Sequence, residues 1–277
     1  MRQIQHINAI KTAWRIFTRI IFFLREYFFP AGCALCGSSL LDIDETWYGL
    51  CTTCYTGLMK DIAWMRNSSG QDETGQIKNR CDLCGKPMVS GLGRCLSCRN
   101  GSERFFDRIV PVFSYSGKYR QLFTEYKFNK NLSLGHFFAE IIVKAYYLLN
   151  GQASDENPLV IVPVPPRPGK IKKAGWDQVE YLAQLLEAGW GETTLTKKPG
   201  YSVFRCLKRL PSQIQKQLDR TERLKNLQGR IALTRKAPQT AIILDDVFTT
   251  GSTMDVCASA LKAGGCQTVY GICLVYD

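Results

Sequence analysis

Histidine is nearly missing from this chain: His6 and His136 are the two present in 277 residues. Neither has a cysteine, serine or acid at motif spacing, which leaves nucleophilic catalysis of the Ser/His or Cys/His kind without support. A long uncharged apolar run is also missing. The stretch 13–29 is rich in Ile and Phe, but Arg15, Arg19, Arg25 and Glu26 interrupt it. It is too short and too charged to span a bilayer, and it lacks the clean core of a signal peptide. Ile10, Ala13, Phe17, Ile20, Ile21 and Leu24 fall near helical spacing. The expectation is an amphipathic helix over 1–30 that packs on the protein itself, with membrane-surface contact as the alternative. Acids are scarce too: 24 stand against 36 Lys and Arg, a formal charge of +12. That balance favours polyanionic partners, namely nucleic acid, a phosphorylated sugar or an anionic membrane surface, over a merely solvated basic face.

Cysteine, by contrast, is abundant. Eight of the twelve form four C-x-x-C pairs: Cys33/Cys36, Cys51/Cys54, Cys81/Cys84 and Cys95/Cys98. This is zinc-ligand spacing rather than a secreted disulfide framework, and it fits a reducing, cytoplasmic setting. Cys33-Ala34-Leu35-Cys36-Gly37 is repeated as Cys81-Asp82-Leu83-Cys84-Gly85, and a second pair follows each copy. Two structural zinc ions are expected, since all-thiolate sites leave no open position for water. Sequential pairing makes two zinc ribbons; pairing across the repeats is the alternative. Eight thiolates and two dications would lower the charge to +8, still basic. A polar stretch near 67–79 reads as a linker between the repeats. Cys206, Cys257, Cys266 and Cys273 read as small core residues.

From about residue 105 strands and helices alternate, which predicts an α/β domain with a parallel sheet flanked by helices. Strands are expected at 109–115, 159–164, 202–207, 231–234, around 242–244 and at 268–276. Helices are expected at 132–149, 177–187 with Asp177 near the N-cap, and 253–263, the last ended by Gly264-Gly265. The expected organisation is an N-terminal helix over 1–30, a double zinc ribbon over 31–104 and the α/β domain over 105–277.

The segment AIILDDVFTTGSTM, 241–254, carries most of the chemistry. Ile242, Ile243 and Leu244 form a buried parallel strand. Asp245 and Asp246 stand at its carboxyl end, where open α/β sheets bind ligands. Thr249, Thr250, Gly251, Ser252 and Thr253 then offer hydroxyls and backbone N–H groups where a helix begins, a ready anion site. An ordinary N-cap needs one hydroxyl.

DDVFTTGST resembles the phosphoribosyl pyrophosphate (PRPP) motif of type I phosphoribosyltransferases. The resemblance implies a type I phosphoribosyltransferase-like sheet in which Asp245 and Asp246 act as the catalytic acids by orienting the ribose hydroxyls. Thr249, Thr250, Gly251, Ser252 and Thr253 would hold the 5′-phosphate. Val162-Pro163-Val164-Pro165-Pro166 leads into a loop with Arg167, Lys170, Lys172 and Lys173. Val164, Pro165 and Lys170 would hold the pyrophosphate with Mg²⁺. One X–Pro bond there could be cis.

The order of double zinc ribbon, VPVP, a G-aromatic-x-Q turn and DDVFTTGST is similar to the ComF family of competence proteins, with the related GntX-type proteins, over roughly 30–276. YSGKYRQLFTEYKF and SQIQKQLDRTERLKN match as well. Gln215, Arg220, Arg223 and Asn226 would then belong to a mobile loop over PRPP. Two departures stand out. Ala174-Gly175-Trp176-Asp177-Gln178 replaces the family's usual Arg-Gly-Phe-Asn-Gln, and Lys170 replaces an upstream Arg. Both remove the bidentate guanidinium that lysine cannot copy. The resemblance implies a cytoplasmic protein of DNA uptake that binds PRPP or a related phosphorylated ribose, and single-stranded DNA, alongside other competence or DNA-processing proteins. Tyr115, Tyr119, Arg120, Tyr126, Lys127 and Phe128 could stack bases, or form an ordinary helix face. Phosphoribosyl transfer would be its activity. The alternatives are a metabolic nucleobase phosphoribosyltransferase and a non-catalytic zinc-scaffolded adaptor.

Overall fold

The structure is a computed structural model and describes residues 31–65, 79–89, 93–101, 103–150, 159–190, 200–211 and 231–277. The helix expected over 1–30, and the linker near 67–79 except Asn79, lie outside the described residues.

Seven strands are present among them: β1 Arg108–Ser114, β2 Val160–Pro163, β3 Ser202–Val203, β4 Leu207–Arg209, β5 Ile231–Leu233, β6 Thr240–Phe248 and β7 Thr268–Tyr276. Five form one sheet in the order β1-β7-β6-β2-β3, and every pairing in it is parallel. Its central strands β6 and β7 are buried almost end to end, which explains the apolar runs 241–244 and 272–275. Ile242 lies opposite Tyr270, and Asp245 opposite Cys273.

The helices are α1 Ile43–Tyr48, α2 Thr52–Asp61, α3 Leu96–Arg99, α4 Gly117–Lys127, α5 Ser133–Asn150, α6 Lys170–Ala174, α7 Gln178–Glu187 and α8 Ser252–Ala263. One face of the sheet carries α5 and α7, whose Phe137, Phe138, Ile141 and Leu182 share a core with Ile242, Leu244 and Ile272. On the other face α8 packs with the β4–β5 pair, where Cys257, Leu261, Leu207 and Ile231 meet Ile243 and Val269.

Two expectations change in the structure. The strand expected over 202–207 is split: β3 pairs with β2 over two residues, and Phe204 N–H still donates to Ile161 O at 2.8 Å before the chain turns away. The next strand, β4, pairs antiparallel with β5 in a separate two-stranded sheet. The loop after β2 also winds into the short helix α6. No peptide bond among the described residues is cis.

The two cysteine repeats fold alike. In each, the first cysteine's N–H bonds five residues on, Cys33 to Ser38 O at 2.8 Å and Cys81 to Lys86 O at 2.9 Å. Gly37 and Gly85 bond back to Cys33 O and Cys81 O at 2.9 Å. The third cysteine of each set, Cys51 and Cys95, is the N-cap of a helix, α2 and α3. The first repeat joins the α5 core through Leu40, Leu50, Leu58 and Ile62, all buried. Tyr55 OH donates to Glu140 at 2.8 Å and fixes it there.

The second repeat covers the β1 edge. Ile109 N–H donates to Leu83 O at 2.8 Å, and a Cβ on Gly85, at φ +67°, would lie 2.3 Å from Ile109 O. An exposed strand edge invites pairing with another chain, and this one is capped by the ribbon. Pro111 is tolerated in β1 because the strand lies at that edge.

Candidate functional site

β2 and β6 lie side by side, yet their chains leave in opposite directions: β2 through α7 to β3, β6 through α8 to β7. A crevice opens where an α/β sheet divides in this way. β2 pairing stops at Pro163 opposite Leu244, and Val164 N–H bonds Leu244 O at 2.9 Å. Beyond that point no strand among the described residues pairs with β6 on that side, and a cleft of about 620 Å³ fills the space.

Asp245, Asp246, Thr249, Thr253, Val164, Pro165 and Lys170 all line this cleft. The acids do not sit at the strand's last residues, since β6 continues to Phe248. Nor are they equivalent. Asp246 receives Lys127 Nζ at 2.7 Å and the amide of Gln178. Asp245 accepts its own neighbour's N–H, from Asp246 N at 2.9 Å. Burial first, then the charge of Asp246, pushes the Asp245 carboxyl well above the usual carboxylate range.

The turn after β6 is built for close approach. Gly251 is the N-cap of α8 at φ 77°, a conformation that favours glycine. Thr250 and Ser252 hydroxyls lie 2.7 Å apart. The exit from the second ribbon braces the turn: Arg104 donates to Thr250 O at 3.1 Å and Phe105 N–H to Asp255 at 2.8 Å.

Lys170 is placed in the cleft but is already engaged. Its ammonium bonds Asp177 at 2.6 Å and also the Gln178 side chain. Asp177 caps α7 as expected, accepting from Val179 and Glu180 N–H at 3.0 Å. Sequence reasoning missed Lys127, Gln178, Asp177 and Arg209 as cleft residues. Asp177 and Gln178 stood inside the recognised turn; Lys127 and Arg209 carried no local signal. Gln215, Arg220, Arg223 and Asn226 lie outside the described residues.

The aromatic stretch is only partly available for stacking. Tyr126 is buried and donates to Gln178 O at 2.6 Å, and Tyr119 stacks on Phe113 at 4.7 Å. Phe128 is 62% exposed beside Lys127.

Away from the cleft, Cys33, Cys36, Cys51 and Cys54 form one cluster and Cys81, Cys84, Cys95 and Cys98 another, each with its sulfurs within 4.8 Å of one another. Pairing is therefore sequential. The Cys36–Cys51 and Cys84–Cys95 sulfurs are 3.7 Å apart. Thiolates about 2.3 Å from a tetrahedral zinc ion are about 3.8 Å from one another, so both sets fit zinc. Cys206, Cys257, Cys266 and Cys273 are buried, and burial pushes the Cys206 thiol up to about 11. They are core residues.

Fold and site together define an α/β protein with a five-stranded parallel sheet flanked by helices, preceded by two Cys₄ clusters compatible with a double zinc ribbon. No protein-family model matches the chain. It is 24% identical over 250 residues to the competence protein ComFC of Bacillus subtilis, covering 84% of this chain and 89% of that protein. It is 23% identical over 253 residues to the DNA utilization protein YhgH of Salmonella typhimurium, covering 88% and 96%. ComFC of Streptococcus pneumoniae matches at 24% over 168 residues, 59% of this chain and 66% of that protein. These matches support a ComF-family protein. Among the described residues no helix is long and apolar enough to cross a membrane.

Proposed function

We propose that the cleft binds PRPP or a related phosphorylated ribose together with Mg²⁺, and that the protein works in DNA uptake and utilization. The observation that carries the ribose reading is the β6–turn–α8 unit at the sheet's dividing point, with Asp246 at the cleft and Thr249 to Thr253 at a helix N-terminus. Hydroxyls and helix N-terminal N–H groups there suit the 5′-phosphate. Asp246 is a charged acceptor for the ribose hydroxyls, and Lys127 would hold it in place. Asp245 accepts the Asp246 N–H and would steady the acid beside it. Mg²⁺ and the loop from Val164 to Lys170 would take the pyrophosphate. Transfer of the phosphoribosyl group to a nitrogen acceptor needs positioning and leaving-group stabilisation more than acid–base chemistry, which suits a cleft with no histidine among its described lining residues. The loop containing Gln215, Arg220, Arg223 and Asn226 would close over the ligand. Residues 31–104 form the zinc-bearing part, and 105–277 the ribose-binding part, of a cytoplasmic protein.

The DNA role rests on the relatives named for competence and DNA utilization and on the +12 charge. Single-stranded DNA is the proposed partner, with Phe128 as the exposed aromatic of the α4 stretch.

Calorimetry of the zinc-loaded chain with PRPP and Mg²⁺ tests the ribose reading. Asp246→Asn is expected to weaken binding at least about tenfold, roughly the loss of a charge-assisted hydrogen bond. Equal affinity in variant and wild type would remove Asp246 from the site. DNA binding is expected to weaken steeply with salt, in a mobility-shift series; a flat series contradicts it.

A further inference from the structure

Lys127 and Lys170 border the cleft, and both are committed to protein acids, Lys127 to Asp246 and Lys170 to Asp177. Arg209 differs. Its side chain lines the same cleft, its Nε is buried, and no acceptor meets that nitrogen among the described residues. A guanidinium does not lose its proton, and native structures leave few buried donors unmet. Arg209 ends β4, where backbone pairing with Ile231 holds it. It is near enough to Asp245 to favour that carboxyl's charged form. The position is therefore fixed by a strand rather than by a surface loop.

We infer that Arg209 is an anion-binding residue of the cleft, directing its guanidinium at phosphate oxygens of the ligand. The inference rests on the ribose-phosphate reading above. It bears on Ala174: beside Arg167 of the loop after β2, which also lines the cleft, β4 brings a second guanidinium to the site. The paired N–H groups of a guanidinium fork suit two oxygens of one phosphate. Lysine offers a point charge and cannot reproduce it. The oxygens belong either to the pyrophosphate or to the 5′-phosphate, and the ligand panel separates these.

The test is calorimetry of the zinc-loaded full chain with PRPP, inorganic pyrophosphate and ribose 5-phosphate, each with Mg²⁺, for wild type, Arg209→Gln and Arg209→Lys. Zinc content and near-ultraviolet circular dichroism establish that each variant is folded. Arg209→Gln is expected to weaken PRPP at least about tenfold, and Arg209→Lys at least about fivefold, since charge without the fork is insufficient. A parallel loss for pyrophosphate assigns Arg209 to the leaving group; a parallel loss for ribose 5-phosphate assigns it to the 5′-phosphate. If Arg209→Gln does not fold, the lysine variant decides alone. Wild-type PRPP binding matched by the folded variants overturns the inference and leaves the ribose reading standing. A wild type that binds none of the three ligands overturns both.

Discussion

Asp245 and Asp246 are adjacent in the chain but meet different surroundings. Asp246 holds Lys127 at 2.7 Å, whereas Asp245 is buried against β7 and α8 with its carboxyl pushed well above the usual range. The folded protein therefore holds the Asp245 proton more tightly than the unfolded chain, whose aspartates titrate at about 4. Its contribution to stability is fully present below about 4 and is lost as pH rises through the raised folded value. Asp245→Asn cannot ionise and removes that dependence. Urea unfolding from about pH 5 to about pH 8 should show the variant gaining on the wild type as pH rises; a constant difference would contradict the assignment. The acids, the hydroxyl turn and the proline loop were legible in the sequence because each is a short contiguous run. Lys127 was not, because its partner Asp246 is remote in the chain and brought near only by the sheet. The sequence offers Lys170 to the pyrophosphate without showing its protein partners, because its bonds to Asp177 and Gln178 form only when α6 and α7 fold back on each other.

At the scale of elements, the buried parallel strands announced themselves: 268–276 was expected and β7 occupies Thr268–Tyr276. Continuous apolar runs flanked by turn residues leave little ambiguity. The β4–β5 pair carried no such mark, since strands of three residues show no period. α7 is the element whose start matters most to the cleft. Asp177 is buried, satisfies two N–H groups of its first turn and pairs with Lys170. Asp177→Ala is expected to cost about 1–2 kcal/mol by chemical denaturation, the usual range for a lost N-cap. A variant as stable as the wild type would show that the cap is replaceable. The second ribbon meets the sheet at Gly85, where positive φ combines with a backbone contact that leaves no room for a methyl group. Gly85→Ala should cost at least about 2 kcal/mol through strain and displacement of the ribbon from β1. An unchanged midpoint would mean that the ribbon is not held there.

In the whole molecule, the two ribbons take different places around one α/β unit. The first lends Leu40, Leu50, Leu58 and Ile62 to the α5 core. The second seals the β1 edge and braces the turn of the cleft through Arg104 and Phe105. The repeat in the sequence revealed two zinc sets but could not tell sequential from crossed pairing, which depends on where the ribbons dock. Elemental analysis should give two zinc ions per chain, with chelation lowering the melting temperature of the entire protein because ribbon and sheet share a core. A melting transition indifferent to chelator would contradict that coupling. The central claim concerns the cleft, and phosphorus NMR of PRPP with Mg²⁺ addresses it most directly. On titration with zinc-loaded protein, the 5′-phosphate and both pyrophosphate resonances should all shift or broaden saturably, and Asp246→Asn should reduce the effect. Resonances that stay in place at saturating protein would contradict a phosphoribose site.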